Sequence, residues 1–520
     1  MSGLGWRGAR AERAVSVNDA SFSGIDAIPT KIVGTILYLM QLRTLVLSSL
    51  IIAASGIVST ADGQEEPPKL DAKAGDFARF PLGPIGGRGE VFAGQAGIGV
   101  LSLGTSDPGE TSGLEIGDVI MAVGGDAFPV HTRDINNLDG PMAVLGDAIE
   151  AAEADDGKLV LGVQRGDEEL ELIVQLPVLG AIDLHDPQGN QKAMAFYDGI
   201  CSDLLRTCRK DGAWRSNTGE DATRYTTALC GLALLGRGDP KHRPALEAIA
   251  RYLAGPNRRG HVSEDLMQPA GLSNWFITMS GIYLAEYVLA TGDEQWLPTI
   301  QHLCDCLVAR QTEEGRYGHG ITVGYGGKGF NIINTHAHLL WALADRAGCA
   351  VDEDAWKRSL LEIEKSTGDN GGVRYWTLQT GYWDACARTG QMALALSLAD
   401  RHPELRSRMG DYLAKHRNRM REAHAMSSIG MIFGTTALRR VNPDGWRQHM
   451  DAWRWYLALM RQPDGSAGYI GGKRNNGGDS YLGPEHVANA MAGVMLASGL
   501  GNLHLCGNDE KGWLEQDAGP

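Results

Sequence analysis

Arg209 to Gly236, RKDGAWRSNTGEDATRYTTALCGLALLG, contains the unit from which most of the chain is built. A charged helix, Gln191 to Arg209, ends at its start, Asp211-Gly212 turns the chain, and Ala222 to Leu235 follows, apolar nearly all round. A helix without a polar face is buried, whereas one with a charged side faces water. The alternation returns along the chain. Charged-face helices are expected at Pro240 to Ala254, Glu294 to Arg310, Asp352 to Ser366, Glu404 to Met420 and Gly445 to Arg461. Apolar partners are expected at Ser273 to Thr291, Ile332 to Gly348, Ala385 to Asp400, Met426 to Arg439 and His486 to Ser498. This makes about six pairs at a period of roughly 50 residues, the signature of a repeat architecture. Glycine loops join outer to inner helices at Arg209–Trp214, Gln311–Tyr317, Gly368–Gly372 and Arg461–Ser466. Such pairs close most simply into an all-α (α/α)6 toroid over residues 190–505, its inner ring around a central cavity, with a tail over 506–520.

Upstream, residues 76–182 change to short apolar runs punctuated by Gly and Pro, which predict a small, mostly β domain. GIGVLSL (97–103) and GDVIMAVGG (117–125) read as strands, and Val144 to Ala154 as a helix. Lys158–Gln164 and Glu168–Leu176 read as a hairpin around Arg165-Gly166-Asp167. Residues 62–75 are a polar linker. Before it, KIVGTILYLMQLRTLVLSSLIIAASGIV (31–58) carries Arg43 where a membrane span would be deepest. Read from Met40, the same stretch is a secretory signal peptide ending at Ser59-Thr60-Ala61, so residues 1–61 combine a mis-set start with that signal. The mature protein is expected to be periplasmic or secreted, with no membrane contact after signal removal.

Of the 520 residues, 43% are hydrophobic and 21% charged, which describes a globular chain. Forty-eight Lys and Arg against 63 Asp and Glu give a net charge of −15, which opposes nucleic-acid phosphates. Eight cysteines are too few for a small disulfide framework, and buried free thiols account for most of them.

SDPGETSGLEIGDVIMAVGGDAF (106–128) resembles the turn-and-strand core of PDZ domains. The resemblance implies an extended or C-terminal peptide as partner, its carboxylate held by backbone N–H groups. Leu82, Gly83, Ile85 and Gly86 would form that loop, although Pro84 removes one donor and the motif departs from the usual pattern. RKDGAW and RQPDGSAGYIGG are similar to the repeats of the terpenoid cyclase and protein prenyltransferase superfamily. Cyclisation itself finds no support, because the acidic motif of squalene-type cyclases is absent and only 7% of residues are aromatic. A PDZ-like module before a toroid, behind a signal peptide, also resembles an exported bacterial family of unknown function.

Inner-helix starts in a toroid gather at one mouth, where helix N-termini favour anions. Polar residues concentrate there, among them Asp221, Asn274, Asn334, Arg388, His424 and Asn489. Asp384-x-Cys386 with His486 resembles the zinc ligands of prenyltransferases, and an oxygen, sulfur and nitrogen set suits catalytic zinc. Alternatively His336, His338 or His486 acts with Asp384 or Glu485 in acid–base catalysis, as on polysaccharide-cleaving toroids. Two functions follow: a peptide- or substrate-binding scaffold, or an enzyme on a glycan, peptide or lipid-linked substrate.

Overall fold

The computed structural model describes residues 77–132, 140–216, 218–255, 265–268, 271–377, 385–472, 479 and 481–516. The expected signal peptide, the linker and Asp384 lie outside these residues.

The N-terminal part is an antiparallel sheet. Its strands are β1 (Phe77–Pro81), β2 (Arg88–Phe92), β3 (Ile98–Ser102), β4 (Val119–Val123), β5 (Asp126–Ala127), β6 (Lys158–Arg165) and β7 (Glu168–Gln175). The β6–β7 hairpin turns on Gly166-Asp167, with Arg165 opposite Glu168 and Gly166 at φ +59°, as a two-residue hairpin requires. Alternation puts Phe80, Val91, Ile98, Ile120, Leu161 and Val163 on one face. Helix α1 (Pro141–Ala154) packs there through Met142, Leu145 and Ile149.

The helical part alternates as the sequence predicts. Inner helices are α3 (Glu220–Arg237), α5 (Ser273–Thr291), α7 (Asn331–Ala347), α9 (Cys386–Leu398), α11 (Ser427–Val441) and α14 (Pro484–Leu500). Each packs on the next and α14 returns to α3, which closes the ring. Every residue of α5 is buried, the condition its uniformly apolar sequence demands. Outer helices are α2 (Gln191–Thr207), α4 (Arg243–Ala254), α6 (Leu297–Arg310), α8 (Glu353–Ser366), α10 (Pro403–Lys415) and α12 (Pro443–Ala452), the last followed by α13 (Arg454–Met460). The sequence expectation of one helix over 445–461 is corrected here, because Trp453 leaves helical geometry (φ −107°, ψ 12°) and lets α13 lie against α1.

Four outer-to-inner loops share one hydrogen-bond pattern. The first residue's N–H donates to the carbonyl four residues on, and a glycine three residues on donates back: Arg209/Gly212, Thr312/Gly315, Gly368/Gly371 and Gln462/Gly465. All four glycines have φ between +83° and +88°. A Cβ on Gly212, Gly315 or Gly371 would stand 2.3–2.5 Å from backbone of α4, α8 or α10. The recurring Gly therefore meets two demands together, a left-handed turn and close approach to an outer helix.

Residues Glu65–Pro520 form one compact unit that includes both sheet and toroid. The toroid loop after α13 supplies β8 (Gly471–Gly472), which pairs with β1 at Ala78 and Arg79, giving the order β7-β6-β4-β3-β2-β1-β8 with β5 beside β4. Gly146 of α1 lies so near Trp455 that a Cβ would be 2.4 Å from its carbonyl oxygen. Between the halves, Lys192 Nζ lies 2.8 Å from both Glu150 and Glu153, and Arg461 also reaches Glu153. None of the eight cysteines forms a disulfide; seven are buried and Cys208 is half-buried.

Candidate functional site

Most polar residues at the inner-helix starts hold loops. Thr223 and Thr227 accept from the N–H groups of Ser216 and Trp214, and Thr389 and Asn489 from those of Val373 and Ala467. The Asn274 amide donates to the carbonyls of Gly318 and Gly320, and that of Asn334 to Gly315. Buried arginines do the same work by charge-assisted bonds: Arg224 to Leu253 and Gly255, Arg310 to Leu266 and Gln268, Arg388 to Val373, Arg421 to Ile470. Loops without regular structure need partners for buried carbonyls, and these side chains supply them.

Another group points to the ring axis. Tyr225 (α3), Trp275 (α5), His336 (α7), Gln391 (α9) and Phe433 (α11) come from five of the six inner helices. The rings of Tyr225, Trp275 and Phe433 have centroids 6.2, 5.6 and 5.7 Å from that of His336. His336 Nδ1 lies 2.7 Å from the Ile332 carbonyl oxygen. A carbonyl only accepts, so Nδ1 carries the proton and the Nε2 lone pair faces the axis. Tyr225 Oη and Gln391 Nε2 both donate to it at 3.2 Å. The Gln391 amide is oriented by Thr335, whose hydroxyl donates to its Oε1 at 2.7 Å. Towards the mouth, Trp275 Nε1 donates to His319 Nδ1 at 2.7 Å, and His319 packs on Phe330. Burial pushes both His336 and His319 down to about 4, so both are neutral near pH 7.

Asp479, fully buried, adds a carboxyl. It accepts from the N–H groups of Ser427 and Ser428 at the start of α11 (2.9 and 3.3 Å), and from the hydroxyls of Ser428 and Tyr469 (2.5 Å each). Burial raises its pKa above the usual carboxylate range despite these donors. Burial, above all, raises that of Tyr225.

The residues predicted from sequence disperse. His336 and His338 diverge because two residues along a helix turn it by roughly 200°. His338 packs between Trp341 and Trp356, towards α8 and away from the axis. Cys386 is buried with its thiol towards the His416 carbonyl at 3.7 Å, and the half-buried His486 lies 3.8 Å from the exposed Glu485. Among the described residues no three His, Cys, Asp or Glu side chains gather as a metal site would need. Asp384, the third of the expected zinc ligands with Cys386 and His486, lies outside the described residues. Leu82, Gly83, Ile85 and Gly86 are buried. A Cβ on Gly83 would stand 2.6 Å from the Ala458 carbonyl oxygen of α13. Tyr225, Gln391, Phe433 and Asp479 escape a reading of the sequence for metal-type motifs. The signal for the first two is a polar side chain well inside an otherwise apolar helix.

Elsewhere, the open sheet face carries a hollow of about 410 Å³ lined by Glu90, Phe92, Gly97, Gly99, Ile116 and Val119. Ile116 and Met121 are exposed on that side of the domain.

Three solved structures are among those similar to the chain. A variant of the type II terpene cyclase MstE from Scytonema is 12% identical, with 61% of this chain and 98% of that one covered, at a TM-score of 0.41. An inactive variant of the alpha-1,6-mannanase GH76A of Salegentibacter is 12% identical, covering 59% and 98%, at 0.42. A possible member of the GH105 family from Salmonella enterica is 13% identical, covering 61% and 94%, at 0.41. No curated protein matches the chain. A family model matches residues 210–507, from the first glycine loop to the end of the ring and so over more than half of the chain. The protein thus belongs to the family described as Domain of unknown function (DUF6288).

Proposed function

We propose that the protein is an exported acid–base enzyme acting on a glycan at the mouth of its toroid. The observation that carries this reading is the convergence of Tyr225, Trp275, Gln391 and Phe433 on the buried His336 ring. A carboxyl whose pKa is raised by burial holds its proton to higher pH and suits a general acid. Asp479 is that acid in our reading. Tyr225 and the neutral His336 supply hydrogen bonds without bringing a charge, which suits a polyhydroxylated neutral substrate.

The test is a panel of polysaccharides incubated with mature protein, with products read by mass spectrometry. Wild-type protein is expected to convert at least one glycan. Asp479→Asn and His336→Gln are each expected to lose about 10²-fold or more in rate, measured on protein that circular dichroism shows to be folded. Full activity in either folded variant overturns the assignment of its residue, and no conversion of any glycan overturns the substrate class.

The hollow of about 410 Å³ supports a second reading for the sheet, as a PDZ-like module that binds an extended peptide on its open face rather than at Leu82–Gly86. Titrating labelled peptides against Gly99→Phe, which fills the hollow, checks it; unchanged affinity rules it out.

A further inference from the structure

The loop after α13 belongs to both halves of the body. Gly471 and Gly472 pair with Arg79 and Ala78 of β1 as the edge strand of the sheet. Just before them, the Tyr469 carbonyl accepts from Arg88 Nη2 of β2 at 3.2 Å, and Gly468 packs on Pro81, whose Cγ would lie 2.8 Å from a Cβ there. On the toroid side, the Ile470 carbonyl accepts from Arg421 at 3.1 Å. The Tyr469 side chain, 6% exposed, runs inward and its hydroxyl donates to Asp479 Oδ2. Asp479 in turn caps the first N–H groups of α11, the helix that carries Phe433 to the axis.

We propose that the N-terminal sheet is the positioning element of the toroid mouth: by taking Gly471–Gly472 as an edge strand and gripping Tyr469 through Arg88, it fixes Asp479 at the start of α11. Tyr469 and Arg88 are then positioning residues. The arrangement explains why a small sheet is fused to the ring instead of tethered to it. An edge strand offers unpaired N–H and C=O groups that can take up another segment, and here the chain supplies its own. A hydroxyl donor on a buried carboxylate both orients it and favours its charged form, so Tyr469 sets geometry and acidity together. The catalytic consequence rests on the acid role proposed above for Asp479; the geometric claim stands without it.

The experiment is hydrogen exchange by mass spectrometry on the full chain, comparing wild type with Tyr469→Phe and Arg88→Ala. Both variants are expected to speed exchange at the Ser427 and Ser428 amides by about tenfold and to leave α5 and α7 unchanged. Unchanged protection at those amides, while 468–472 exchanges faster, overturns the proposal. Faster exchange throughout the inner ring also overturns it, since that is general loosening. On a glycan converted by wild type, Tyr469→Phe is expected to move the basic limb of the kcat/KM profile to higher pH, because the carboxylate has lost a donor. If Asp479→Asn keeps its activity while the exchange result holds, the acid role falls and the positioning claim stands.

Discussion

Replacing Lys192 with Met tests whether sheet and toroid are one cooperative body. Lys192 is 1% exposed and its ammonium lies 2.8 Å from two carboxylates that are 9% and 0% exposed. Removing it leaves Glu150 and Glu153 together with Arg461 as the remaining cation of the cluster. Breaking a buried ion pair from one side costs about 3–5 kcal/mol, because a charge remains without water or partner. Unfolding the roughly 450 residues of the compact unit, at ~2.1 cal/mol/K each, gives an entropy of ~0.9 kcal/mol/K. The loss therefore lowers Tm by about 3–5 °C, read by differential scanning calorimetry as a single shifted peak. The double variant Lys192→Met/Glu150→Leu leaves one cation on one carboxylate and is expected to recover most of the loss. A shift of less than about 1 °C for the single variant refutes the buried-ion reasoning. A separate early peak for the sheet refutes the single body.

Gly371→Ala is expected to cost about 2–3 kcal/mol, since it adds strain at φ +88° to a Cβ 2.3 Å from the Arg408 carbonyl oxygen. Gly348→Ala, left-handed but with open space around it, is expected to cost about 1 kcal/mol; equal chemical-denaturation midpoints would contradict the packing half of the argument. Burial pushes His336 down to about 4 and His338 to about 3. The unfolded chain binds protons at about 6.5 that the folded one refuses, so stability falls as pH drops from there towards 4, by about 1.4 kcal/mol per unit for each such group. Melting curves across that window check the slope. Neither ring nitrogen of His338 has a partner among the described residues, so His338→Leu is expected to hold or raise Tm at neutral pH and to flatten the acid slope. A fall of several degrees would count against it.

The ring was legible because its evidence is periodic. Apolar stretches such as Ser273–Thr291 have one physical solution, complete burial, and the four glycine loops carry the same residue at the same structural position. The hairpin at Gly166-Asp167 was legible for a similar local reason. What escaped was direction. Asn274, Asn334 and Asn489 sit at helix starts where either a loop or the axis could receive them, and spacing along one helix does not say which. Asp479 follows a glycine-rich stretch of sequence without periodicity, and its partners are 10 and some 50 residues away. The strand at Gly471-Gly472 has no side chains to announce it, and the break at Trp453 between α12 and α13 goes with a contact to α1 that is distant in sequence.

The cysteines, none of them in a disulfide, have a use as instruments. All eight belong to the toroid side of the sequence, from Cys201 to Cys506, and none to the sheet. Burial pushes the half-buried Cys208 up to about 11 and Cys201 and Cys506 higher still, so in the native state hardly any thiolate is present to react. An alkylating reagent at neutral pH thus stays silent until a helix pair opens. Mass counting after a timed pulse then gives the order in which the ring comes apart, with Cys230, Cys304 and Cys386 each marking a different pair.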